Sequence, residues 1–298
     1  MGRNSWSLIA VGCIVVLLFS THGHADEDLV PDPDYDSSAP TSWHWWLNQT
    51  EDQLNTMRNN GERIIDIERV PMVTIDYANE KIPGRFHAVL VKNTGAYQRT
   101  DSWWFDFDQD QVTAKINQEK GRIIDLEPYT GAGKRLFAFS LIRNEGKAAK
   151  SWWWNYDLTP DQVTADINTH GIRLIDLDAY SVKLPGSPAK TLYSYVGISN
   201  QGVDGKAWWW YPDVTAQFVS DRINEFGARL IDIEVHPNGN LAVVMVQNDG
   251  TAWWWNHGVT LENVSNLLAT TASRLTDLEV YRVGGERTYA FISVGNTN

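Results

Sequence analysis

Ten acidic side chains recur in a pattern that could support chemistry. In each of five segments an Arg is followed three residues later by an Asp and, after two more residues, by a second Asp or Glu, as in Arg173, Asp176 and Asp178. Neighbouring carboxylates can act as general acid and general base when their environments give them different pKa values. Five copies argue against that role, because catalysis usually needs a single asymmetric site.

An ion-pair role explains the repetition better. Bidentate Arg–carboxylate pairs hold structural elements in register, so we expect each Arg to pair with an acid of its own or a neighbouring segment. A repeated ligand-binding role is the alternative. No metal site is predicted, since the oxygen ligands lack the spacing of a calcium-binding loop. The residues of this series are Arg63, Asp66, Arg122, Asp125, Arg173, Asp176, Arg229, Asp232, Arg274 and Asp277.

Tryptophan runs form the second recurring feature, and one run precedes each Arg–Asp motif. A buried indole stabilises a core, whereas an exposed indole beside polar groups suits a sugar ring or an extended peptide. Both roles stay open at the level of sequence. Because side chains alternate along a strand, Trp152 and Trp154 should share one face and Trp153 should take the other. If one tryptophan of each run forms a binding platform, the candidates are Trp45, Trp103, Trp153, Trp209 and Trp254.

The elements that position these residues follow from local signals. Aromatic runs favour strands. Thr159, Pro160 and Gln162 supply an N-cap, a first-turn proline and a capping box for a helix, and a glycine such as Gly121 or Gly171 ends each of the first four helices. The Arg–Asp motif and the apolar run after it indicate two further strands. Each segment is therefore predicted to form a β-α-β-β unit.

Five such units predict an α+β repeat fold closed into a propeller-like ring, with an open solenoid-like array as the alternative. The chain begins with a Trp strand and ends with the strand type that elsewhere precedes one. Pairing of residues 43–46 with residues 288–294 would close the ring and remove free sheet edges. The single predicted domain covers residues 42–298, with units at about 42–101, 102–150, 151–206, 207–251 and 252–298.

The Gly-x-Arg-Leu-Ile-Asp segments that begin at Gly171 and Gly227, together with the Trp runs, resemble the tryptophan-containing tandem repeats of bacteria. Similar repeats build the non-catalytic half of fungal polyglycine hydrolases. The similarity covers residues 42–298. Those enzymes carry their chemistry in a separate β-lactamase-like domain, so the resemblance implies no catalytic residue here. Ser187 and Lys190 match the Ser-x-x-Lys pattern of that domain by chance, since prolines and a glycine place them in a loop.

Composition limits the cellular setting and the partners. Residues 1–25 have the basic start, apolar core and small-residue end of a signal peptide. Residues 26–41 are acidic and rich in Pro and Ser, which predicts a flexible lead-in. The only cysteine, Cys13, lies in the signal, so the secreted chain has no disulfide and no thiol nucleophile. A net charge of −12 without a basic run gives nucleic acid or an anionic membrane no electrostatic basis for binding.

These observations predict a secreted, monomeric module that needs no cofactor and binds an extracellular polysaccharide or peptide polymer. One alternative is a structural or protein-interaction repeat domain. Another is a hydrolase related to the polyglycine hydrolases, although the balance is against an enzyme. Asn48 and Asn263 begin Asn-x-Thr/Ser sequences and would carry glycans in a eukaryotic host.

Secretion makes a direct prediction about the N-terminus. The exported protein should begin at Asp26, because cleavage after Ala25 removes the signal. Mass spectrometry of the intact protein and of its N-terminal peptide measures this. The variant Leu17→Arg, which places a charge in the apolar core of the signal, should stay inside the cell. An exported chain that still begins at Met1 would contradict the prediction.

Overall fold

The computed structural model describes residues 39–40, 42–70, 84–131, 133–182 and 189–296. The predicted signal, most of the acidic lead-in and Ser187 lie outside these residues. Over the described ranges, no helix is long and apolar enough to cross a membrane. The described chain is an α+β protein of five repeated units, as predicted, and each unit has one α-helix and one three-stranded antiparallel sheet.

The units repeat the same order of elements. Unit one contains β1 (Trp43–Thr50), α1 (Glu51–Asn59), β2 (Glu62–Arg69) and β3 (Arg85–Lys92). Unit two contains β4 (Asp101–Phe107), α2 (Gln109–Glu119), β5 (Gly121–Gly131) and β6 (Lys134–Arg143). Unit three contains β7 (Trp152–Leu158), α3 (Pro160–His170), β8 (Ile172–Val182) and β9 (Lys190–Ser199). Units four and five contain β10 (Trp208–Val214), α4 (Ala216–Phe226), β11 (Ala228–Val235), β12 (Leu241–Gln247), β13 (Trp253–Val259), α5 (Leu261–Thr271), β14 (Ser273–Val283) and β15 (Glu286–Gly295).

The helices begin and end where local chemistry places them. Thr159 caps α3 by accepting a hydrogen bond from the Gln162 backbone, and the Gln162 side chain bonds back to complete the capping box. Gly171 ends α3 in the left-handed conformation, with a φ of 61°. The expectation for Gly121 is wrong by one residue, because Lys120 takes the left-handed position at a φ of 51° and Gly121 begins β5.

The strand order within each unit corrects the predicted way of closing a ring. The third strand of each unit lies in the middle of its sheet, as in the order β1-β3-β2. Trp43 therefore pairs with Val91 of its own unit, and β15 pairs with β13 and β14. A middle strand has both of its edges satisfied, so residues 288–294 leave no free edge for residues 43–46. The predicted pairing between these two segments is wrong.

Asparagine side chains brace the connections between units. The side chain of Asn93 accepts a hydrogen bond from the Arg99 backbone N–H at 2.7 Å and donates to the Arg99 carbonyl at 2.8 Å. Asn144 makes the same pair of bonds to Lys150. In this geometry one amide group substitutes for a backbone partner across a six-residue loop. The recurring asparagine thus fixes the conformation of the loop that connects one unit to the next.

The hydrophobic core lies at the junctions between units. In the cluster between units two and three, Phe137 and Phe139 of unit two pack with Val196 of unit three, and Trp152 and Trp154 lie against them. Similar clusters join units one and two, three and four, and four and five. Each sheet therefore buries one face against the unit before it and the other face against its own helix and the unit after it.

A fifth cluster combines the last unit with the first. Leu278 and Phe291 of unit five pack with Val89 of unit one, and Trp45 and Leu47 lie against them. Val89 has no exposed surface. The second strand of each unit carries the Arg–Asp motif, and we call these five strands the inner strands: β2, β5, β8, β11 and β14. Inner strands of neighbouring units contact one another, and β14 contacts β2.

Candidate functional site

The Arg–Asp–acid motif presents its three polar side chains on one face of the inner strand. Arg63, Asp66 and Glu68 lie opposite Val91, Val89 and His87 of β3, and these three partners alternate along β3 and share a face. A spacing of three residues would put Arg63 and Asp66 on opposite faces of a regular strand. A register shift between Ile64 and Asp66 removes that conflict, and every inner strand has the same shift.

The aspartates of this series join neighbouring units through backbone amides. Asp232 Oδ2 accepts a hydrogen bond from the Leu177 N–H of unit three at 2.8 Å. Asp277 Oδ2 accepts from the Ile233 N–H of unit four, also at 2.8 Å. Asp125 makes the equivalent bond to the Ile67 backbone of unit one. A carboxyl oxygen accepts such a bond whether the group is ionised or protonated, so the Asp series fixes how adjacent inner strands lie.

The arginines of the series are buried, with at most 2% of their surface exposed. Arg274 Nη2 donates to the Tyr97 hydroxyl of unit one at 2.7 Å, and its guanidinium carbon lies 5.5 Å from the centroid of that ring. Arg173 Nε donates to the Asp204 carbonyl at 3.4 Å. These two contacts run to a phenol and a backbone carbonyl, and the pairing of each arginine with an acid of the series stays a prediction.

The acids of the motif form two layers along the inner strands. The five aspartates of the Arg–Asp series are the first layer, and the second acid of each motif belongs to the second layer. Its members are Glu68, Glu127, Asp178, Glu234 and Glu279. Carboxylate oxygens of Glu68, Glu234 and Glu279 lie within 4.8 Å of one another. Glu68 and Glu279 also share a side-chain hydrogen bond. Units one, four and five therefore bring three acids to one place, although these residues are far apart in the sequence.

Burial raises the pKa of every acid in the two layers. It raises the pKa of Asp125 and of Glu279 to about 7. For Asp66, burial is reinforced by the negative charge of Asp277, and for Glu68 by the charge of Glu127. The pKa values of the others rise well above the ordinary range, because a carboxylate loses hydration and meets like charges there. Those others are Glu127, Asp176, Asp178, Asp232, Glu234 and Asp277.

His87 breaks the fivefold repetition beside this layer. It lies opposite Glu68, whereas the acids of the other units face Ala138, Ser194, Ala242 and Ala290. His87 Nδ1 accepts a hydrogen bond from the Asn48 N–H at 3.0 Å. Burial, with a contribution from the Arg287 charge, lowers the pKa of His87 to about 4. The imidazole is therefore neutral at pH 7 and adds no positive charge to the acids.

The candidate tryptophans occupy two different positions on the first strand of each unit. Trp45 and Trp103 lie opposite Val89 and Ser140. This position corresponds to that of Trp154, which lies opposite Val196. The other three candidates lie one residue earlier in the repeat, where units one and two have His44 and Ser102. These three are Trp153, Trp209 and Trp254.

Packing separates the two positions as well. Trp103 is only 6% exposed, and its Nε1 donates to Asn55 Oδ1 of unit one at 2.9 Å. Trp45 lies against the cluster between units five and one. Trp103 is therefore too buried to be a platform, whereas Trp45 keeps part of its surface exposed. Alignment of the five runs on the helix N-caps would have separated these positions, because Trp45, Trp103 and Trp154 each lie five residues before their N-caps, Thr50, Asp108 and Thr159.

The remaining candidates lie beside their own helices and keep part of their surface exposed. Trp153 stacks on His170 at the end of α3, with ring centroids 5.3 Å apart and planes 24° from parallel. Trp209 stacks on Phe226 at the end of α4, at 4.5 Å and 5°. Among the described residues, Trp46 is the most exposed tryptophan, at 41%, beside His44. Asn48 and Asn263 are both exposed, as a glycosylation acceptor must be.

No model of a known protein family matches this chain, and no curated protein matches it. The resemblance to tryptophan-containing tandem repeats therefore stays an expectation from the sequence. Function has to be inferred from the geometry of the chain's own residues.

The buried acids predict a particular dependence of stability on pH. Asp125 has an ordinary pKa of 3.8 and a pKa of about 7 in the folded chain, so its contribution is fully present below its unfolded pKa and is lost as pH rises through about 7. The free energy of unfolding should therefore fall between pH 5 and pH 8, by about 1.4 kcal/mol per pH unit for each proton released. Urea denaturation in the presence of a chelator, followed by tryptophan fluorescence, measures it.

The variant Asp125→Asn supplies the matched test. Asparagine keeps the shape and one acceptor oxygen but does not titrate, so the loss of stability between pH 5 and pH 8 should be smaller. Asp161→Asn, at an exposed position on α3, is the control and should leave the profile unchanged. Stability that increases from pH 5 to pH 8, or an identical profile in Asp125→Asn, would show that buried carboxyl groups do not govern it.

Proposed function

We propose that this protein is a secreted, non-catalytic module that binds an extracellular polymer, a glycan first and a cell-wall peptide second. The observation that carries the proposal is the equivalent placement of Trp153, Trp209 and Trp254. These tryptophans occupy one register position on the edge strands of three consecutive units, and each keeps part of its surface exposed. We therefore propose these three tryptophans as the platforms, instead of the five that the sequence suggested.

The geometry of these indoles suits a binding surface. Trp153 and Trp209 are stacked on rings at the ends of α3 and α4, so their orientation is set before a ligand arrives. A fixed aromatic side chain loses little conformational entropy on binding. An indole also combines a large apolar face with a polar N–H, which is the combination that contacts sugar rings and peptide backbones.

Repetition favours a polymer over a small molecule. Three equivalent sites on consecutive units can engage successive parts of one chain, so weak individual affinities combine through a high effective concentration. Units one and two have His44 and Ser102 at the same position. Unit one instead exposes Trp46 beside His44, with ring centroids 6.2 Å apart, which gives its edge a different aromatic surface.

The proposal includes a closed ring, in which unit five packs on unit one. Three contacts between these units support closure: the cluster around Val89, the Arg274–Tyr97 hydrogen bond, and the Glu68–Glu279 hydrogen bond. A ring would hold the three tryptophans at fixed separations, as multivalent binding to a stiff polymer requires. An open array is the alternative for the fold, and a protein-interaction domain is the alternative for the function.

Closure predicts the cost of a mutation at the junction between units five and one. Val89 and Val196 occupy equivalent positions, and both are fully buried. In a closed ring, Val89→Ala should lower the free energy of unfolding by about 2 kcal/mol, because two methyl groups are removed from a packed site. Val196→Ala, at the junction of units two and three, is the matched control. Urea denaturation measures both.

An open array predicts unequal losses of stability for Val89→Ala and Val196→Ala. In that case Val89 would face solvent at a free end, and Val89→Ala would cost under about 0.5 kcal/mol, as surface substitutions do. The Val196→Ala variant would still lose about 2 kcal/mol. A much smaller loss of unfolding free energy in Val89→Ala than in Val196→Ala would therefore exclude the ring.

Polymer binding predicts the effect of removing the three indoles. Trp153→Ala, Trp209→Ala and Trp254→Ala should each weaken retention on an insoluble polysaccharide or peptidoglycan, and the triple variant should abolish it. Each anchor should contribute at least about 1 kcal/mol, which is roughly a fivefold change in affinity. Trp154→Ala, on the junction face, is the control: it should destabilise the fold by about 3–5 kcal/mol and keep binding while folded.

Pull-down on a panel of polysaccharides and peptidoglycan, read beside circular dichroism, separates binding from folding. The triple variant must keep its spectrum for the loss of binding to count. Equal retention of the wild type and the triple variant, or no retention of the wild type on any polymer of the panel, would contradict the proposed function.

A further inference from the structure

We infer that the inner strands of units one, four and five bind one divalent cation of the calcium class between Glu68, Glu234 and Glu279. The inference is independent of polymer binding at the tryptophans. The first support is geometric. Carboxylate oxygens of the three residues lie within 4.8 Å of one another. Two oxygens on opposite sides of a calcium ion are about 4.6–5.2 Å apart, since each Ca–O distance is about 2.3–2.6 Å.

A buried acceptor beside the three glutamates supplies an independent observation. Asp232 is only 7% exposed, and its Oδ1 has no hydrogen-bond partner in the described part of the chain. Its Oδ2 is held by the Leu177 N–H at 2.8 Å. Asp232 precedes Glu234 by two residues and lies on the same face of β11.

A second acceptor repeats this arrangement in unit one. Asp66 Oδ2 is buried and also has no hydrogen-bond partner among the described residues. Asp66 lies two residues before Glu68 on the shared face of β2. Buried acceptors are costly unless a donor or a cation satisfies them. A calcium ion uses six to eight oxygen ligands, so three glutamates leave positions that these oxygens can fill directly or through water.

The excess of acids over arginines on the inner strands also favours a bound cation. Each unit contributes two acids and one arginine to the shared face of its inner strand. Negative charge is therefore in excess wherever the acids are ionised, and a buried charge is costly until a counter-ion meets it. A divalent cation supplies that counter-charge. Burial raises the pKa of these acids, which means that protons compensate the charge when no metal does.

The other two acids of this layer, Glu127 and Asp178, do not belong to the group whose oxygens all lie within 4.8 Å of one another. Glu127 Oε2 lies 3.5 Å from the Arg69 N–H. Asp178 shares a side-chain hydrogen bond with Glu234 and lies near the positive charge of Arg135. Glu234 Oε2 also accepts a hydrogen bond from the Ala179 N–H at 3.4 Å. The site is therefore offset toward units one, four and five, which it would link to one another.

Calorimetric titration of the chelator-stripped, full-length protein with CaCl2 at pH 8 tests the inference, because a higher pH favours the carboxylate form that binds a metal. We expect one ion per chain and an increase in the thermal midpoint with calcium concentration, since a ligand that binds the folded state stabilises it. The variants Glu234→Gln and Glu279→Gln keep the side-chain shape and should weaken binding at least tenfold. Glu127→Gln, in the same layer, is the matched control and should change affinity less than threefold.

Several results would overturn the inference. Absence of both a heat signal and a thermal shift in the wild type would exclude the site, and this readout needs no variant to fold. Equal calcium affinity in the wild type and in the triple variant Glu68→Gln, Glu234→Gln, Glu279→Gln would place the ion elsewhere. A magnesium affinity equal to that for calcium would contradict the calcium class, because magnesium requires shorter and more regular coordination.

Discussion

A unit of this protein cannot bury its own sheet, and the rest of the structure depends on that constraint. Each three-stranded sheet is apolar on both faces, but its single helix has only nine to eleven residues and covers part of one face. The other face carries residues such as Trp152, Trp154 and Val196, which reach the preceding unit. Apolar surface of this size is stabilised only by removal from water. Repetition is therefore a condition of stability, as in other repeat proteins, and the contacts between units five and one extend the same packing to the terminal units.

The inner strands present the opposite problem, because they concentrate charge where water is scarce. The Arg–Asp–acid face turns toward the neighbouring inner strands, and its aspartates are used to hold backbone amides across the junctions. The first layer of acids is thus satisfied in part by the fold itself. The second layer depends on protons, on other carboxyl groups or, as proposed, on a cation. Hydrophobic packing at the junctions must stabilise the protein enough to offset this electrostatic cost.

The same division separates structural from exposed aromatics. Tryptophans on the junction face, such as Trp154, pack against the preceding unit. Trp153 and Trp209 also lie against clusters between units, but they stack on rings at the ends of their own helices and keep part of their surface exposed. A change on the junction face affects the fold, and a change on the helix face affects the surface that a polymer would meet. If the helix-face indoles bind a polymer as proposed, binding and stability depend on the same residue type within one run.

The sequence by itself determined the features that depend on neighbouring residues. The repeat, the β-α-β-β order and the capping of α3 by Thr159 and Gln162 all follow from local signals, because a cap or a strand preference is decided within a few residues. The recurring motif also identified Arg63, Asp66 and their counterparts as a set. Its spacing could not show that they share a face, since the register shift after Ile64 arises only when β2 pairs with β3.

Tertiary structure alone decided what those residues do. The position of β3 in the middle of its sheet, which excluded the predicted pairing of the chain ends, depends on which strands meet and not on their own propensities. The difference between Trp103 at a junction and Trp153 beside a helix depends on the neighbouring unit. The meeting of Glu68, Glu234 and Glu279 joins residues from three units. Such contacts depend on packing between distant segments, and the sequence of one segment does not show which residues of another segment it will meet.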